Sequence, residues 1–201
     1  MGAVLRPTYP IATERLLLRP FEPGDFDALL TIHGDPQVTR YLYWETRGRD
    51  ELRDVLAEKL SRTALADEGD GLNLAAVLER TGELVGDVVL FWRSREHRQG
   101  EVGYMFAPAH GGRGYATEAV RELLRLGFEE LGLHRITAQL DARNEASARL
   151  LERLGMRREA HLVENEFVKG EWTSGLVYAL LDREWHETRA AALTARTAAS
   201  R

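Results

Sequence analysis

The most informative absence in this sequence is cysteine, of which there is none among 201 residues. A chain without cysteine has no disulfide framework, no thiolate metal site and no cysteine nucleophile. The six histidines are scattered, and they show neither a His-Glu-x-x-His motif nor another ligand spacing. We therefore expect no metal site.

A surplus of basic residues is also missing. Lys and Arg number 27 against 32 Asp and Glu, which gives a formal net charge of -5. A general nucleic-acid binder would carry the opposite charge, so we expect no nucleic-acid partner. No apolar run approaches the ~20 residues of a membrane span, and residues 1–21 lack the apolar region of a secretory signal. We expect a soluble cytoplasmic protein with no membrane partner.

The length and composition that remain are sufficient for one domain of ordinary size. Apolar residues make up 44% of the chain, which is enough to build a core. We assign residues 13–186 to a single domain and residues 1–12 to a loose N-terminal lead-in. Residues 187–201 are rich in Ala and Arg, and we expect them to form a flexible C-terminal tail.

Hydrophobic periodicity predicts where the strands and helices of this domain lie. Two apolar runs around Arg80-Thr81-Gly82-Glu83 predict a β-hairpin. The strand–helix–strand succession over 101–141 predicts one parallel crossover. We therefore predict an α/β (α+β) fold, a mixed and mostly antiparallel sheet of about six to seven strands with helices on both faces. Predicted strands are 13–19, 72–79, 84–92, 101–106, 134–141, 161–168 and 172–180; predicted helices are 25–33, 36–43, 50–66, 116–131 and 144–154, with a short one from 182.

The stretch 100–119, GEVGYMFAPAHGGRGYATEA, joins a strand to a helix through a glycine-rich turn. Gly111, Gly112 and Gly114 permit a bend that few side chains would allow. The unpaired amides at the start of the helix and the helix macrodipole favour an anion, most often a phosphate. The residues alone therefore predict a site for a phosphorylated cofactor.

Three kinds of phosphate loop compete for this stretch. A Walker loop needs a Lys after the glycines, and none follows here. A dinucleotide fingerprint needs a third glycine where Thr117 stands, and its strand would not follow a hairpin. The third kind is 111–116, Gly-Gly-Arg-Gly-Tyr-Ala. It resembles the Gln/Arg-x-x-Gly-x-Gly/Ala loop of the Gcn5-related N-acetyltransferases (GNAT).

The resemblance to the GNAT family covers most of the chain, from about Thr13 to Leu180. It is closest to the branch that includes the enzymes acetylating ribosomal-protein N-termini. One departure is Gly111, where many relatives carry Gln or Arg; this removes a side-chain contact and leaves the amide cradle intact. The similar pieces are, in order, TERLLLRPF, EVGYMF, GRGYATEA, Asn144-x-x-Ser147, Leu150-Leu151-x-x-Leu154-Gly155, Glu171-Trp172 and Tyr178.

The resemblance implies acetyl-coenzyme A (acetyl-CoA) as cofactor and acyl donor, with no metal. The amides of 112–116 would hold its pyrophosphate, and the main chain around Phe106 and Ala107 would pair with its pantetheine arm. Asn144 would hydrogen-bond the same arm, and Thr117 would add a hydroxyl to the phosphate cage. The full set of predicted cofactor residues is Met105, Phe106, Ala107, Gly111, Gly112, Arg113, Gly114, Tyr115, Ala116, Thr117, Asn144 and Ser147.

Acetyl transfer from a thioester to an amine needs a base for the amine and an acid for the leaving thiolate. The resemblance implies Glu101 as the base, acting directly or through water; the alternative is a strand residue paired with a nearby arginine. Many relatives use a tyrosine acid in the helix after the Asn, but Leu151 stands there. Ser147 is the best replacement, and a hydroxyl that only positions the cofactor is the alternative.

We therefore expect an acetyl-CoA-dependent N-acetyltransferase that works by direct attack in a ternary complex, since the chain has no cysteine for a thioester acyl-enzyme. Its partner is a small-molecule or peptide amine, with a protein or peptide α-amine as first choice. Polyamine, amino acid and antibiotic amines stay open, as does transfer of a larger acyl group such as succinyl. A non-catalytic acyl-CoA-binding regulator is the alternative from another class. Whether the protein forms a homodimer is left open.

Overall fold

An eight-stranded mixed sheet forms the centre of a computed structural model that describes residues 4–199, with side chains for 4–190. The predicted fold class is confirmed, and the sheet has one or two more strands than expected. One of the additional strands lies in the predicted lead-in. The strands are β1 (Ile11–Ala12), β2 (Leu16–Arg19), β3 (Gly71–Leu78), β4 (Leu84–Ser94), β5 (Gln99–Phe106), β6 (Arg135–Asp141), β7 (Arg157–Val168) and β8 (Glu171–Leu181).

Helices cover both faces of this sheet. Within the described residues, no helix combines the length and the apolar character needed to cross a membrane. A π-helical turn, Leu126–Glu130, continues α4, so the predicted helix 116–131 is not uniform. The helices are α1 (Phe26–His33), α2 (Pro36–Thr39), α3 (Arg49–Ser61), α4 (Tyr115–Arg125), α5 (Glu145–Arg153) and α6 (Asp182–Ala199).

Alternating apolar residues explain how the sheet carries two cores. In β3, Leu72 and Leu74 point to the core under α4 and α5, whereas Ala75 and Val77 point to the core under α1 and α3. Since both faces are covered, nearly all of β3 is buried. This matches the continuous apolar runs that predicted the β3–β4 hairpin, which is confirmed.

Tertiary pairing changes several predicted boundaries. Helix α3 ends at Ser61 rather than near Ala66 because Leu65 pairs with Leu5, their backbone amides and carbonyls exchanging two 2.9 Å hydrogen bonds. Leu5 is 2% exposed, so the described part of the lead-in packs on the domain. Helix α2 is also shorter than predicted, and β7 begins four residues early. Helix α6 runs to Ala199, so it is longer than the predicted short helix and includes most of the segment that was expected to be a flexible tail. The predicted lead-in and tail both extend beyond the described residues.

The order of the sheet, β1-β2-β3-β4-β5-β6-β8-β7, contains one parallel contact, as predicted. That contact between β5 and β6 covers only three positions, from Gln99 opposite Arg135 to Glu101 opposite Thr137. Beyond it, β5 stays paired with β4 as far as Phe106, and β6 stays paired with β8 as far as Asp141. The two strands therefore diverge and leave a gap in the sheet.

Candidate active site

Two cavities meet at the gap between β5 and β6. The first, of ≈ 540 Å³, lies beside the glycine loop and α5; the second, of ≈ 530 Å³, lies under α1 and α3. A ligand in one cavity can therefore approach a ligand in the other through the gap. Both cavities are lined by Leu42, Tyr104, Met105, Asn144 and Ser147.

The glycine loop has the geometry of an anion site. Gly112 and Gly114 have φ angles of +72° and +83°, a region that side chains with a Cβ seldom adopt. Gly114 caps α4, and the first hydrogen bond at the start of the helix runs from the Glu118 N–H to the Gly114 carbonyl at 3.0 Å. The amides of 115–117 have no carbonyl one turn earlier to accept them, so they are free to bind an anion.

Arg15, which immediately precedes β2, holds this loop in place. Its guanidinium donates to the Arg113 carbonyl at 2.9 Å and lies over the ring of Tyr115. Glu118 in the first turn of α4 accepts hydrogen bonds from the Thr13 hydroxyl at 2.6 Å and from the Arg15 amide at 2.7 Å. Burial acts to raise the pKa of Glu118. The hydrogen bonds from Thr13 and Arg15 outweigh the effect of burial and lower this pKa. No pattern in the sequence indicated this contact.

Most of the predicted cofactor residues line the first cavity, but two do not. The Arg113 carbonyl is occupied by Arg15. Ala107 donates its N–H to Val85 at 3.0 Å and accepts from the N–H of His110 at 3.0 Å. Its N–H is thus already bonded to β4, and the pairing of Ala107 with the pantetheine stays a prediction. The predicted residues that do line the cavity are Met105, Phe106, Gly111, Gly112, Gly114, Tyr115, Ala116, Thr117, Asn144 and Ser147.

Strand register identifies which backbone groups of β5 face the gap. Because the Ala107 N–H bonds β4, and bonding directions alternate along an antiparallel strand, Met105 also directs its backbone to β4. Tyr104 and Phe106 then direct their N–H and C=O groups towards the gap. No strand pairs with them there among the described residues. This edge is open to an extended ligand.

Basic residues on α5 give the first cavity a positive rim. Arg149 and Arg153 line it one turn apart, and a guanidinium nitrogen of Arg153 lies 3.5 Å from the Thr117 hydroxyl. His110 also lines it, with Nδ1 buried and without a partner. The cavity therefore offers donors and positive charge suited to phosphates. Sequence reasoning missed both arginines, although their i, i+4 spacing on a helix was readable.

A hydrogen-bonded pair of hydroxyls lies where the cavities meet. The Tyr104 and Ser147 hydroxyl oxygens are 2.6 Å apart. Asn144 caps α5 by accepting the Ser147 N–H at 3.1 Å, which leaves its side-chain NH₂ as a donor. Burial raises the pKa of Tyr104 to about 12, so the phenol keeps its proton at neutral pH. The tyrosine missing from α5 thus has a counterpart on β5, within the strand that was predicted over 101–106.

Glu101 lines the second cavity, where its carboxylate forms a 3.0 Å ion pair with Arg93. Arg93 also stacks over the ring of Phe91. Both readings of Glu101 are therefore compatible with the structure: it faces the cavity, and it is paired with an arginine. Its proposed role as base stays a prediction.

A buried charge cluster forms another wall of the second cavity. Asp87, 2% exposed, accepts hydrogen bonds from Lys59 at 3.0 Å and from His33 Nε2 at 3.0 Å. Arg47 donates to His33 Nδ1 at 3.1 Å, so Nε2 carries the ring proton that His33 donates to Asp87. Burial alone would raise the pKa of Asp87, but the Lys59 charge and these hydrogen bonds lower it. The sequence signal was a lone acid in the apolar run of β4.

Comparison with known proteins decides the family. The acetyltransferase (GNAT) domain matches residues 15–157. The chain belongs to the GNAT family. It is therefore an N-acetyltransferase, of a family that uses acetyl-CoA. It is 32% identical over 178 residues to YnaD of Bacillus subtilis (strain 168), an uncharacterised N-acetyltransferase, covering 88% of this chain and 99% of YnaD.

Two further GNAT proteins are named for substrates or ligands. YdaF of Bacillus subtilis (strain 168), a proposed ribosomal N-acetyltransferase, is 29% identical over 176 residues, which are 86% of this chain and 94% of YdaF. The structure of spermidine N-acetyltransferase from Vibrio cholerae in complex with CoA and spermine has a TM-score of 0.73 and 25% identity. That likeness covers 85% of this chain and 98% of the other.

The buried cluster of this GNAT domain generates a stability prediction. Replacing Asp87 by Asn leaves Lys59 buried without a counter-charge, and breaking a buried pair costs about 3–5 kcal/mol of unfolding free energy at pH 7. The folded-state pKa of Asp87 is below its ordinary value of 3.8. The carboxylate's contribution is therefore complete above that value and is lost as pH falls through the folded-state pKa. Urea unfolding should show that the difference in unfolding free energy between wild type and Asp87→Asn becomes smaller at acid pH.

Asp67→Asn is the matched control for that measurement. Asp67 is also part of an ion pair, with Arg95 at 3.0 Å, but its side chain is 77% exposed. We expect a small loss of stability that salt further reduces. Equal losses for the two variants would contradict the role of the buried cluster.

Proposed function

We propose that the protein transfers acetyl from acetyl-CoA to a primary amine, in the first instance a peptide or protein α-amine, by direct attack in a ternary complex. The observation that carries the proposal is the meeting of two cavities at the β5–β6 gap. A donor in the first cavity and an acceptor in the second would react between Tyr104, Ser147 and Glu101.

The residues of the first cavity fit acetyl-CoA. The α4 amides and the guanidinium groups of Arg149 and Arg153 would bind its phosphates. The free backbone edge at Tyr104 and Phe106 would pair with the pantetheine, and the Asn144 NH₂ group would donate to it. Bound there, the cofactor supplies an acetyl thioester whose carbonyl carbon is the electrophile.

The chain supplies groups for both proton transfers. The Tyr104 phenol holds a proton beside the Ser147 hydroxyl, and this pair would protonate the leaving sulfur. Glu101 would accept the proton of the attacking amine, directly or through water, while Arg93 keeps its carboxylate in position. The absence of cysteine from the chain supports direct attack over a thioester acyl-enzyme.

The choice of a peptide α-amine as acceptor is supported by likeness to YdaF, whose name proposes a ribosomal acceptor. Spermidine N-acetyltransferase of Vibrio cholerae makes a small-molecule amine the second candidate. Succinyl transfer and a non-catalytic acyl-CoA-binding role are the outcomes that would contradict the proposal, and one assay separates them all.

That assay measures thiol release from acetyl-CoA and from succinyl-CoA with a panel of peptides, amino acids and polyamines. We expect acetyl-CoA to be the preferred donor and a peptide with a free α-amine to be acetylated. The same peptide with a blocked N-terminus is the control. Tight binding of acetyl-CoA without turnover on any amine would favour the non-catalytic role, and preference for succinyl-CoA would exclude acetyl as the natural group.

Gly114→Glu tests the proposed phosphate cradle. The substitution places a carboxylate at the start of α4 and a Cβ 3.3 Å from an Arg15 guanidinium nitrogen, so we expect CoA binding in calorimetry to weaken by at least ~100-fold. Gly132→Glu is the matched control, because Gly132 also has a positive φ, of +72°, and has open space where the Cβ would lie. Equal affinity of both variants for CoA would exclude the cradle. Thermal unfolding of both variants checks that they fold.

Tyr104→Phe and Glu101→Gln test the proposed proton transfers. We expect each to lower kcat/KM by ~10²–10⁴ with CoA binding retained. The Tyr104→Phe loss should be the same from pH 6 to 9, because the phenol of wild-type Tyr104 stays protonated throughout. Tyr178→Phe is the control, since that buried hydroxyl bonds Glu152 at 3.0 Å outside both cavities. Normal kinetics for either test variant would remove that residue from the mechanism.

A further inference from the structure

The charges that line the second cavity are unequal. Four cationic side chains line it, Arg47, Lys59, Arg62 and Arg93, against three carboxylates, those of Glu58, Asp87 and Glu101. Each carboxylate already has its own partner. Glu58 pairs with Arg62, Asp87 with Lys59, and Glu101 with Arg93.

Arg47 is the cation left over. Among the residues that the structure describes, no carboxylate lies within ion-pair distance of it. Its guanidinium donates one hydrogen bond, to the imidazole of His33, and its backbone N–H donates to the His33 carbonyl at 3.1 Å. These contacts fix the position of Arg47 while leaving other guanidinium N–H groups to bind a ligand.

A second available donor lies beside Arg47, and this one has no hydrogen-bond partner. The indole N–H of Trp44 is buried and has no hydrogen-bond acceptor. Trp44 lines the same cavity, and the Arg47 guanidinium lies 4.7 Å from the centre of its ring. A buried polar group without a partner is unfavourable, so this geometry favours a ligand that brings an acceptor.

Asn73 adds the complementary group. It is 4% exposed, it lines the same cavity, and its side-chain oxygen has no partner. The cavity thus favours a ligand with an anionic acceptor for Arg47 and Trp44, and with a donor for Asn73. A polyamine supplies only donors and would meet the surplus positive charge.

From these contacts we infer that the acceptor amine also carries a carboxylate, which Arg47 and Trp44 bind. The inference rests on the proposed function, because it names the class of amine that the site acetylates. Two sources have this chemistry: a free amino acid, and a peptide whose first residue is Asp or Glu. Charge-assisted bonds to a carboxylate would then determine which amines are acetylated.

The experiment compares matched amines that differ only in the carboxylate. Alanine is paired with alaninamide, and a C-terminally amidated peptide beginning with Glu is paired with the same peptide beginning with Gln; spermidine is added as the polycation. We expect the carboxylate member of at least one pair to have a kcat/KM at least ~10-fold higher. The pair that shows the difference identifies the source.

Arg47→Gln should lower kcat/KM at least ~10-fold for the carboxylate substrate and less than ~2-fold for its amide. Trp44→Phe keeps the ring and removes the N–H, so it should act in the same direction by a smaller factor. Arg40→Gln is the matched control, because Arg40 lies over the ring of Tyr41 as Arg47 does over Trp44, but does not line the cavity. Thermal unfolding monitors the loss of the His33 contact.

Binding of the products provides a readout that does not need turnover. With CoA present, calorimetry should show that N-acetylalanine, or the N-acetylated Glu peptide, binds more tightly than its amide partner, and that Arg47→Gln removes the difference. The inference would be overturned if wild type bound the carboxylate and amide products of each pair equally well. It would also be overturned if Arg47→Gln lowered kcat/KM equally for both members of a pair, or if spermidine were the preferred substrate. Absence of turnover on every amine would instead contradict the proposed function.

Discussion

The divergence of β5 and β6 after three paired positions is the constraint on which the rest of the site depends. Each strand is held by its outer neighbour, β4 or β8, so the gap does not come from a break in either strand. It gives the sheet an edge in its interior, where the backbone groups of Tyr104 and Phe106 have no strand partner within the part of the chain that the structure describes. An interior edge of this kind can bind an extended chain without exposing the protein to pairing at its outer border.

The two sides of this gap differ in their electrostatics. On the glycine-loop side, free amides and two arginines present donors to whatever binds there. On the other side most charges are already paired, and Asp87 holds α1 and α3 over the sheet through His33 and Lys59. Such a buried cluster has a large desolvation cost. It fixes the position of His33 and, through His33, that of Arg47, so the donors on this side of the gap depend on a buried cluster.

The parts of this fold that could be predicted are those that short stretches specify. The β3–β4 hairpin follows from two apolar runs around one turn, and the start of α4 follows from its glycines. The pairs at the site are not local: Tyr104 and Ser147 are 43 residues apart, and His33 and Asp87 are 54 apart. Sequence periodicity assigns a residue to a face, but it does not say what lies opposite. The same limit explains α3, whose last predicted turn was lost to Leu5, and Ala107, whose backbone is bonded to β4.

The contact of Glu118 with Thr13 and Arg15 makes the glycine loop dependent on a distant part of the chain. Along the chain the loop is a local motif, contained within some twenty residues. In space its orientation depends on Arg15, which bonds the Arg113 carbonyl, 98 positions away, and Glu118 in the first turn of the helix, 103 positions away. The loop is therefore not a portable module. Transplanted without β2 and the residues before it, the same glycines would still make the turn, but nothing would aim their amides.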